Sequence, residues 1–129
     1  MRKLLIVLLV IAGFILLTVK VSVILFTNFM CSNEVIAEYV SLNGKRKAVI
    51  FDRGCGVGSG ISTQVSVISK TEKLKNKSGN IFIKKGRGNV KAVWLDDKVL
   101  MIQYTDALKI FKQKNKYKGI YIKYELVNF

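Results

Sequence analysis

Hydrophobic residues form one long stretch near the start of the chain and then recur in short alternating runs. From Leu4 to Phe26 they would make a helix of about 34 Å, enough to cross a hydrocarbon core of about 30 Å. The polar residues between Leu4 and Met30 are few: Thr18, Lys20, Ser22, Thr27 and Asn28. This pattern predicts a transmembrane helix within residues 1–30.

The charges that flank this stretch predict its orientation. Arg2 and Lys3 precede it, whereas the twenty residues after Phe26 carry only Lys45 and Arg46 as basic residues. The positive-inside rule therefore predicts a cytosolic N-terminus and an exported C-terminal part. We expect a single-pass protein of the cytoplasmic membrane whose C-terminal domain lies on the periplasmic or extracellular side.

Processing of the N-terminal segment has three possible outcomes. A retained signal-anchor helix is the leading interpretation, because the residues before a cleavage site would be poorly matched to the usual small-residue pattern. A cleaved secretory signal stays open, and so does lipidation at Cys31. We expect residues 1–30 to be a cytosolic stub with the anchor, and residues 31–129 to be one exported domain.

After residue 31, β-branched and aromatic runs broken by Gly, Asn and Asp are typical of strands. Asn43-Gly44 predicts a hairpin turn, and Lys70–Gly79 predicts an exposed loop. The alternation within Ser62–Ser69 predicts a strand with one buried face. The predicted strands are Val35–Val40, Lys45–Asp52, Ser62–Ser69, Asn80–Lys84, Val90–Leu95, Val99–Tyr104, Leu108–Lys112 and Gly119–Val127. The predicted fold is all-β, a small antiparallel sandwich or twisted meander of seven to eight strands after the helix.

Charge and composition indicate which classes of function the sequence favours. The chain has 22 basic and 8 acidic residues and a net charge of +14, and from residue 31 onward 19 basic and 8 acidic residues leave +11. The sequence contains no histidine, which is the commonest general base and a common metal ligand. We therefore expect a protein without catalytic activity, cofactor or bound metal.

Cys31 and Cys55 are the two cysteines of the chain. In an exported domain such a pair is most simply a disulfide, and closing a loop of about 25 residues would stabilise the fold by about 3–3.5 kcal/mol. Two alternatives stay open. Cys31 could be lipidated or free, or Cys55 could be a catalytic thiolate whose pKa is lowered by Arg53.

The segment Arg53–Gly60 is rich in glycine and is a candidate ligand or partner loop. Phosphate-binding fingerprints require a helix after the loop and commonly a Lys-Ser/Thr pair, and here a strand pattern follows. Close backbone approach beside a disulfide explains the glycines equally well. The residues of this candidate loop are Arg53, Gly54, Gly56, Gly58 and Gly60.

Lysines cluster in two segments, Lys70–Arg87 and Lys109–Lys123. Basic segments with interleaved aromatic residues can bind nucleic acid, but export makes anionic lipid headgroups or envelope polymers the nearer partners. We therefore predict no nucleic-acid partner. A simple solubilising surface is the competing interpretation. The candidate contacts with an anionic surface are Lys75, Lys77, Lys84, Lys85 and Arg87.

Several motifs resemble those of a family of small uncharacterised bacterial envelope proteins. These motifs are Asn43-Gly44-Lys45, Cys55-Gly56, Ser62-Thr63-Gln64-Val65-Ser66-Val67, Gly79-Asn80-Ile81-Phe82-Ile83 and Val93-Trp94-Leu95-Asp96-Asp97. The family's members combine a signal, anchor or lipoprotein start with one β-rich domain. This chain departs from them at Gly54 and Val57-Gly58, and its Lys84–Asn89 loop is shorter. The resemblance implies class and location but no activity.

Together these observations predict a membrane-anchored exported β domain that serves as a non-catalytic binding or structural module of the bacterial envelope. The alternative is an inhibitor or immunity-type protein that docks on an exported enzyme or toxin.

Overall fold

The computed structural model describes residues 1–56, 58–106 and 108–128, and the side chains of residues 27 and 28 lie outside this description. The chain forms two units, Met1–Met30 and Cys31–Phe129. The first unit is a helix and the second is built from strands.

Helix α1 spans Arg2–Met30. Its segment Arg2–Phe26 is long and apolar enough to cross a membrane, with a mean hydropathy of 2.9. Apolar side chains surround the helix on all sides, as is typical of a helix that needs apolar surroundings. The hydroxyl of Thr18 donates to the carbonyl of Ile15 at 2.8 Å, so this polar group is satisfied within the helix. The predicted N-terminal apolar helix is confirmed.

Nine strands lie within the described residues of the second unit, and the predicted all-β class is confirmed. All eight predicted strands are present within a few residues of their expected ends. The ninth, β8, has two residues and lies in the predicted lysine-rich connector. The strands are β1 Ser32–Val40, β2 Arg46–Gly54, β3 Ile61–Ser69, β4 Phe82–Lys85, β5 Val90–Asp96, β6 Val99–Tyr104, β7 Ile110–Gln113, β8 Lys116–Tyr117 and β9 Ile120–Leu126.

The strands form a five-stranded sheet in the order β1-β2-β3-β4-β7 and a four-stranded sheet in the order β5-β6-β9-β8. One pairing departs from the antiparallel expectation, because β6 and β9 run parallel. Between them the chain leaves for the other sheet to form β7 and then returns. A connection of this length permits the parallel pairing that a tight hairpin cannot make.

The hydrophobic core contains residues from both sheets. The ring of Phe82 packs against Tyr104 and Tyr124, with centroid distances of 5.3 and 5.5 Å. In β5, alternate residues are buried, as the sequence pattern predicts. The buried cluster comprises Ala48, Ile50, Val65, Val67, Ile81, Phe82, Val90, Ala92, Trp94, Leu100, Ile102, Tyr104, Ile120 and Ile122.

The opposite face of the five-stranded sheet is also buried at its centre. Val49 and Phe51, which lie on this face of β2, are completely inaccessible, and Gln64 and Ser66 of β3 are each only 4% exposed. The prediction that β3 has one buried face is therefore wrong. Residues 70–80, which we call the covering segment, fold back over these polar side chains and remove them from water.

Hydrogen bonds hold the end of the covering segment against β3. The amide of Gly79 donates to Gln64 Oε1 at 2.6 Å. The side chain of Asn80 accepts from the amide of Val67 and donates to its carbonyl, both at 2.8 Å. Asn80 thus satisfies backbone groups of β3 in place of a neighbouring strand. The predicted loop is exposed at its lysines but docked through its backbone.

A buried arginine holds the middle of the covering segment. Arg53 Nη1 donates to Asn33 Oδ1 at 2.6 Å and to Asn76 Oδ1 at 2.9 Å. Asn33 in turn donates to the carbonyls of Lys75 and Lys77. Burial lowers the pKa of the Arg53 guanidinium, because the charged form loses hydration. The covering segment is therefore tied to the first two strands as well as to β3.

The predicted disulfide between Cys31 and Cys55 is confirmed. It joins the start of the β unit to the residue that follows β2. The side chain of Asn76 donates to the carbonyl of Cys31 at 2.8 Å, so the covering segment also contacts this site. The disulfide and the arginine contacts meet at the same end of the five-stranded sheet.

We predict that Gly79→Ala loosens the covering segment. A Cβ at this position would lie 2.9 Å from the carbonyl oxygens of Phe82 and Val65, and backbone atoms cannot yield without moving the strand. We expect the free energy of unfolding to fall by about 1–3 kcal/mol. The measurement is urea denaturation of the full chain in detergent micelles, followed by the fluorescence of the single tryptophan, Trp94.

Gly54→Ala is the matched control, because a Cβ there has its nearest contact at 3.8 Å, with Ile61 Cγ1. We expect this control to change the free energy of unfolding by less than about 1 kcal/mol. Equal effects of the two substitutions would show that close approach at Gly79 does not hold the segment.

Candidate anion-binding site

A cleft of about 570 Å³ lies along the covering segment and reaches the end of the five-stranded sheet where β2 begins and β3 ends. We call it the basic cleft. Three parts of the chain form its walls: the β1–β2 hairpin and end of β3, the covering segment, and the turn after β8. Its lining residues are Lys45, Arg46, Ser66, Val67, Ile68, Ser69, Glu72, Leu74, Lys75, Lys77, Ser78, Asn80, Tyr117 and Lys118.

Positive charge dominates the basic cleft. Five of its side chains are basic and one, Glu72, is acidic. Glu72 Oε1 lies 3.9 Å from Lys75 Nζ, and both side chains are substantially exposed, so this pair neutralises the cleft only weakly. The basic residues are Lys45, Arg46, Lys75, Lys77 and Lys118.

Backbone contacts bring these distant residues together. Arg46 Nη1 donates to the carbonyl of Lys118 at 2.9 Å. Lys118 has a φ of 45° and Gly119 a φ of 79°, so the turn after β8 uses left-handed backbone at both positions. The amide of Lys70 donates to the carbonyl of Lys45 at 3.1 Å, which ties the start of the covering segment to the β1–β2 hairpin.

An aromatic ring stands at one wall of the basic cleft. Lys114 Nζ and Lys118 Nζ each lie 5.4 Å from the centroid of the Tyr117 ring. Such cation–π contacts are worth about 0.5–1 kcal/mol at exposed sites. They hold lysine side chains beside the ring, and the walls of the cleft combine basic and polar groups with the apolar side chains of Val67, Ile68 and Leu74.

The energies of these groups indicate what kind of anion the cleft can hold. An exposed ion pair contributes about 0.2–1 kcal/mol. Five such contacts together give at most about 5 kcal/mol, and a dissociation constant of 1 mM corresponds to 4.1 kcal/mol. A single small anion would therefore bind weakly, whereas a ligand with several negative charges could contact the lysines at once.

The five basic residues predicted to contact an anionic surface lie at different places in the structure. Lys75 and Lys77 line the basic cleft, whereas Lys85 lines a smaller cavity on the other side of the covering segment. Arg87 is exposed, and its Nε lies 3.4 Å from Asp52 Oδ2. These residues do not form one continuous patch.

Lys84 is wrong as a predicted surface contact, because it is only 4% exposed. Its position in β4, opposite Thr63, turns its side chain toward the inner face of the sheet. There Lys84 Nζ donates to the carbonyl of Thr105 at 3.3 Å. A lysine buried in this way cannot meet a ligand outside the domain.

The glycine-rich loop is held by its own contacts. The Ser59 hydroxyl accepts from the amide of Cys55 and donates to the carbonyl of Gly56. Gly56, Gly58 and Gly60 have φ values of 93°, 84° and 72°, which explains why glycine occupies these positions. The loop borders the smaller cavity, of about 280 Å³. Residue 57 lies outside the described residues.

Two members of the predicted loop need correction. Gly54 is the last residue of β2 rather than part of the loop. Arg53 is only 7% exposed and directs its guanidinium to Asn33 and Asn76, so it serves to hold the covering segment. Its alternation on β2 places it on the face that the covering segment buries.

The sequence pattern missed Arg46 as part of a site, whereas Tyr117 and Lys118 fall within the predicted basic segment Lys109–Lys123. Lys45 lies outside the two predicted lysine segments, yet it lines the same cleft as Lys75 and Lys77. Arg46 and Lys118 are 72 positions apart, and their contact depends on the packing of two sheets. No local pattern in the sequence carries that information.

Comparisons with family models, curated proteins and solved structures find no match to this chain. The resemblance to small bacterial envelope proteins therefore stays a prediction. Within the described ranges, no group of three or more Cys, Asp or Glu side chains is placed to hold a metal ion. The basic cleft is thus the candidate site that the geometry best supports.

Proposed function

We propose that this chain is a membrane-anchored, exported β domain that binds a phosphate-bearing anionic polymer of the bacterial envelope. The observation that carries the proposal is the convergence of five basic side chains and one acidic side chain in a cleft of about 570 Å³. A polymer with repeated phosphates suits such a cleft, because it offers several charges to lysines that are individually weak.

The proposed location is the cytoplasmic membrane, with the N-terminus in the cytosol and the β domain outside. Arg2 and Lys3 before the apolar segment support this orientation. The Cys31–Cys55 disulfide supports export, because disulfides persist mainly in oxidising compartments. Retention of the helix as an anchor is part of the proposal.

The proposed function is binding without catalysis. The sequence has no histidine to act as a general base, and its two cysteines are joined to each other. The single carboxylate of the basic cleft, Glu72, is exposed and pairs with Lys75. These features support a site that holds an anion rather than one that activates a nucleophile.

One observation favours the alternative, an inhibitor or immunity-type protein. Strand β1 lies at an edge of the five-stranded sheet, and Val35, Ile36 and Val40 are about half exposed along it. An apolar edge strand can accept a strand from a partner protein. Chemical cross-linking in intact cells would favour this alternative if an exported protein were joined to β1 rather than to the cleft.

The anchor and its orientation can be tested by labelling Ser69→Cys. Ser69 is exposed, and the native cysteines are joined, so the new thiol is the reactive one. We expect a membrane-impermeant maleimide to label it in spheroplasts and the intact mass to include residues 1–30. The thiol of a cytosolic protein in the same cells is the control. Protection of Ser69→Cys until the membrane is permeabilised would contradict the orientation.

The cleft can be tested by measuring affinity for fluorescein-labelled poly(glycerol phosphate), using fluorescence anisotropy and the full chain in neutral detergent. We expect the double change Lys75→Glu and Lys77→Glu to weaken binding at least tenfold, because 1.4 kcal/mol corresponds to tenfold and two attractive contacts become repulsive. Orthophosphate should bind far more weakly than the polymer to the unchanged chain.

The matched control is Lys98→Glu with Lys123→Glu, which changes the net charge equally at two exposed positions, one in the β5–β6 turn and one on β9. We expect this control to retain most of the affinity. An equal loss in both double variants would mean that diffuse charge, not the cleft, attracts the polymer. Absence of binding at low salt would overturn the proposal.

A further inference from the structure

A second surface lies at the end of the five-stranded sheet that carries the disulfide. Leu108 is 77% exposed, Phe111 is 57% exposed and Ile61 is 37% exposed, although all three are strongly apolar. Exposed basic side chains accompany them. We call this surface the tethered rim, and it consists of Ile61, Lys85, Arg87, Leu108, Lys109 and Phe111.

Backbone hydrogen bonds show that the rim is continuous. The amide of Lys85 donates to the carbonyl of Lys109, and the amide of Gly86 donates to the carbonyl of Ile61, both at 2.8 Å. Lys109 Nζ also lies 5.2 Å from the centroid of the Phe111 ring. Apolar and basic groups therefore alternate within one surface.

The smaller cavity connects the rim to the disulfide. Its lining includes Cys55 together with Ile61, Lys85 and Phe111. Cys55 is bonded to Cys31, the residue that directly follows the last residue of α1, Met30. The rim thus lies at the end of the sheet to which the helix is covalently attached.

Chain length limits how far this end can be from a bilayer that α1 crosses. Cys31 lies five residue steps after Phe26, the end of the apolar segment, and five steps span at most about 18 Å. Arg46 and Ser69, which line the part of the basic cleft furthest from the disulfide, lie at the other end of β2 and β3, eight residue steps or about 26 Å further along the strands.

We propose that the tethered rim docks on the anionic lipid headgroups of the membrane that anchors the chain. This inference rests on the proposed function, because it needs α1 to be a retained anchor. Exposed Leu and Phe side chains can enter the interfacial region, and each lysine near an anionic surface contributes about 1 kcal/mol. The part of the basic cleft that Lys45, Arg46 and Ser69 line, by contrast, lies away from this end.

The test uses the full chain in lipid nanodiscs and a fluorophore on a single introduced thiol. Leu108→Cys places the fluorophore on the rim, and Ser69→Cys places it beside the cleft as the matched position. Nitroxide-labelled lipids in the disc quench the fluorophore when it approaches the bilayer. The discs contain phosphatidylcholine alone or phosphatidylcholine mixed with phosphatidylglycerol.

We expect strong quenching at position 108 and little at position 69 in discs with phosphatidylglycerol. The double change Lys85→Glu and Lys109→Glu, or the removal of phosphatidylglycerol, should abolish most of this quenching. Lys98→Glu with Lys123→Glu should preserve it, because these exposed lysines lie in the β5–β6 turn and on β9 of the other sheet.

The outcomes separate this inference from the proposed function. Stable incorporation into discs reports the anchor, whereas the difference between positions 108 and 69 reports docking. Equal quenching at the two positions in incorporated protein would overturn the docking and leave the anchor intact. Failure of the chain to enter the discs would overturn both.

Discussion

Hydrogen bonds made by side-chain amides hold the covering segment, residues 70–80, against the five-stranded sheet, and the candidate site depends on this contact. Asn80 bridges to Val67, and Asn33 and Asn76 join Arg53 to the middle of the segment. Without these bonds, buried polar groups on β2 and β3 would lack partners, at a cost of about 1–3 kcal/mol each. The same contacts place Lys75 and Lys77 opposite Lys45 and so create the basic cleft.

The five-stranded sheet also separates two kinds of surface. At one end, the disulfide joins the strand that follows α1 to the glycine-rich loop, with apolar and basic side chains nearby. The basic cleft extends from the other end along the covering segment, and its hydroxyl, amide and lysine groups are accompanied by apolar side chains. The nine-residue strand β2 separates the disulfide from Arg46 at the far end of the cleft, and Ser78 lines both the cleft and the smaller cavity beside the disulfide.

Local patterns were sufficient to predict the helix, eight of the nine strands and the disulfide. Each of these predictions rests on the pattern of neighbouring residues or on the presence of just two cysteines in the sequence. The covering segment could not be predicted, because Asn33 and Lys77 are 44 positions apart and the segment itself is polar. The inward direction of Lys84 depends on the register of β4 with β3, which alternation in a four-residue strand does not determine.

Hydrogen exchange of the Gly79 amide in the full chain tests the docking of the covering segment most directly. This amide donates to Gln64 Oε1 at 2.6 Å in a buried setting, whereas Lys73 lies in an exposed part of the same segment. We predict that the Gly79 amide exchanges far more slowly than the Lys73 amide, at a rate similar to that of the Val67 amide. Exchange at Gly79 as fast as at Lys73 would contradict it, because the segment would then be an undocked loop without a cleft.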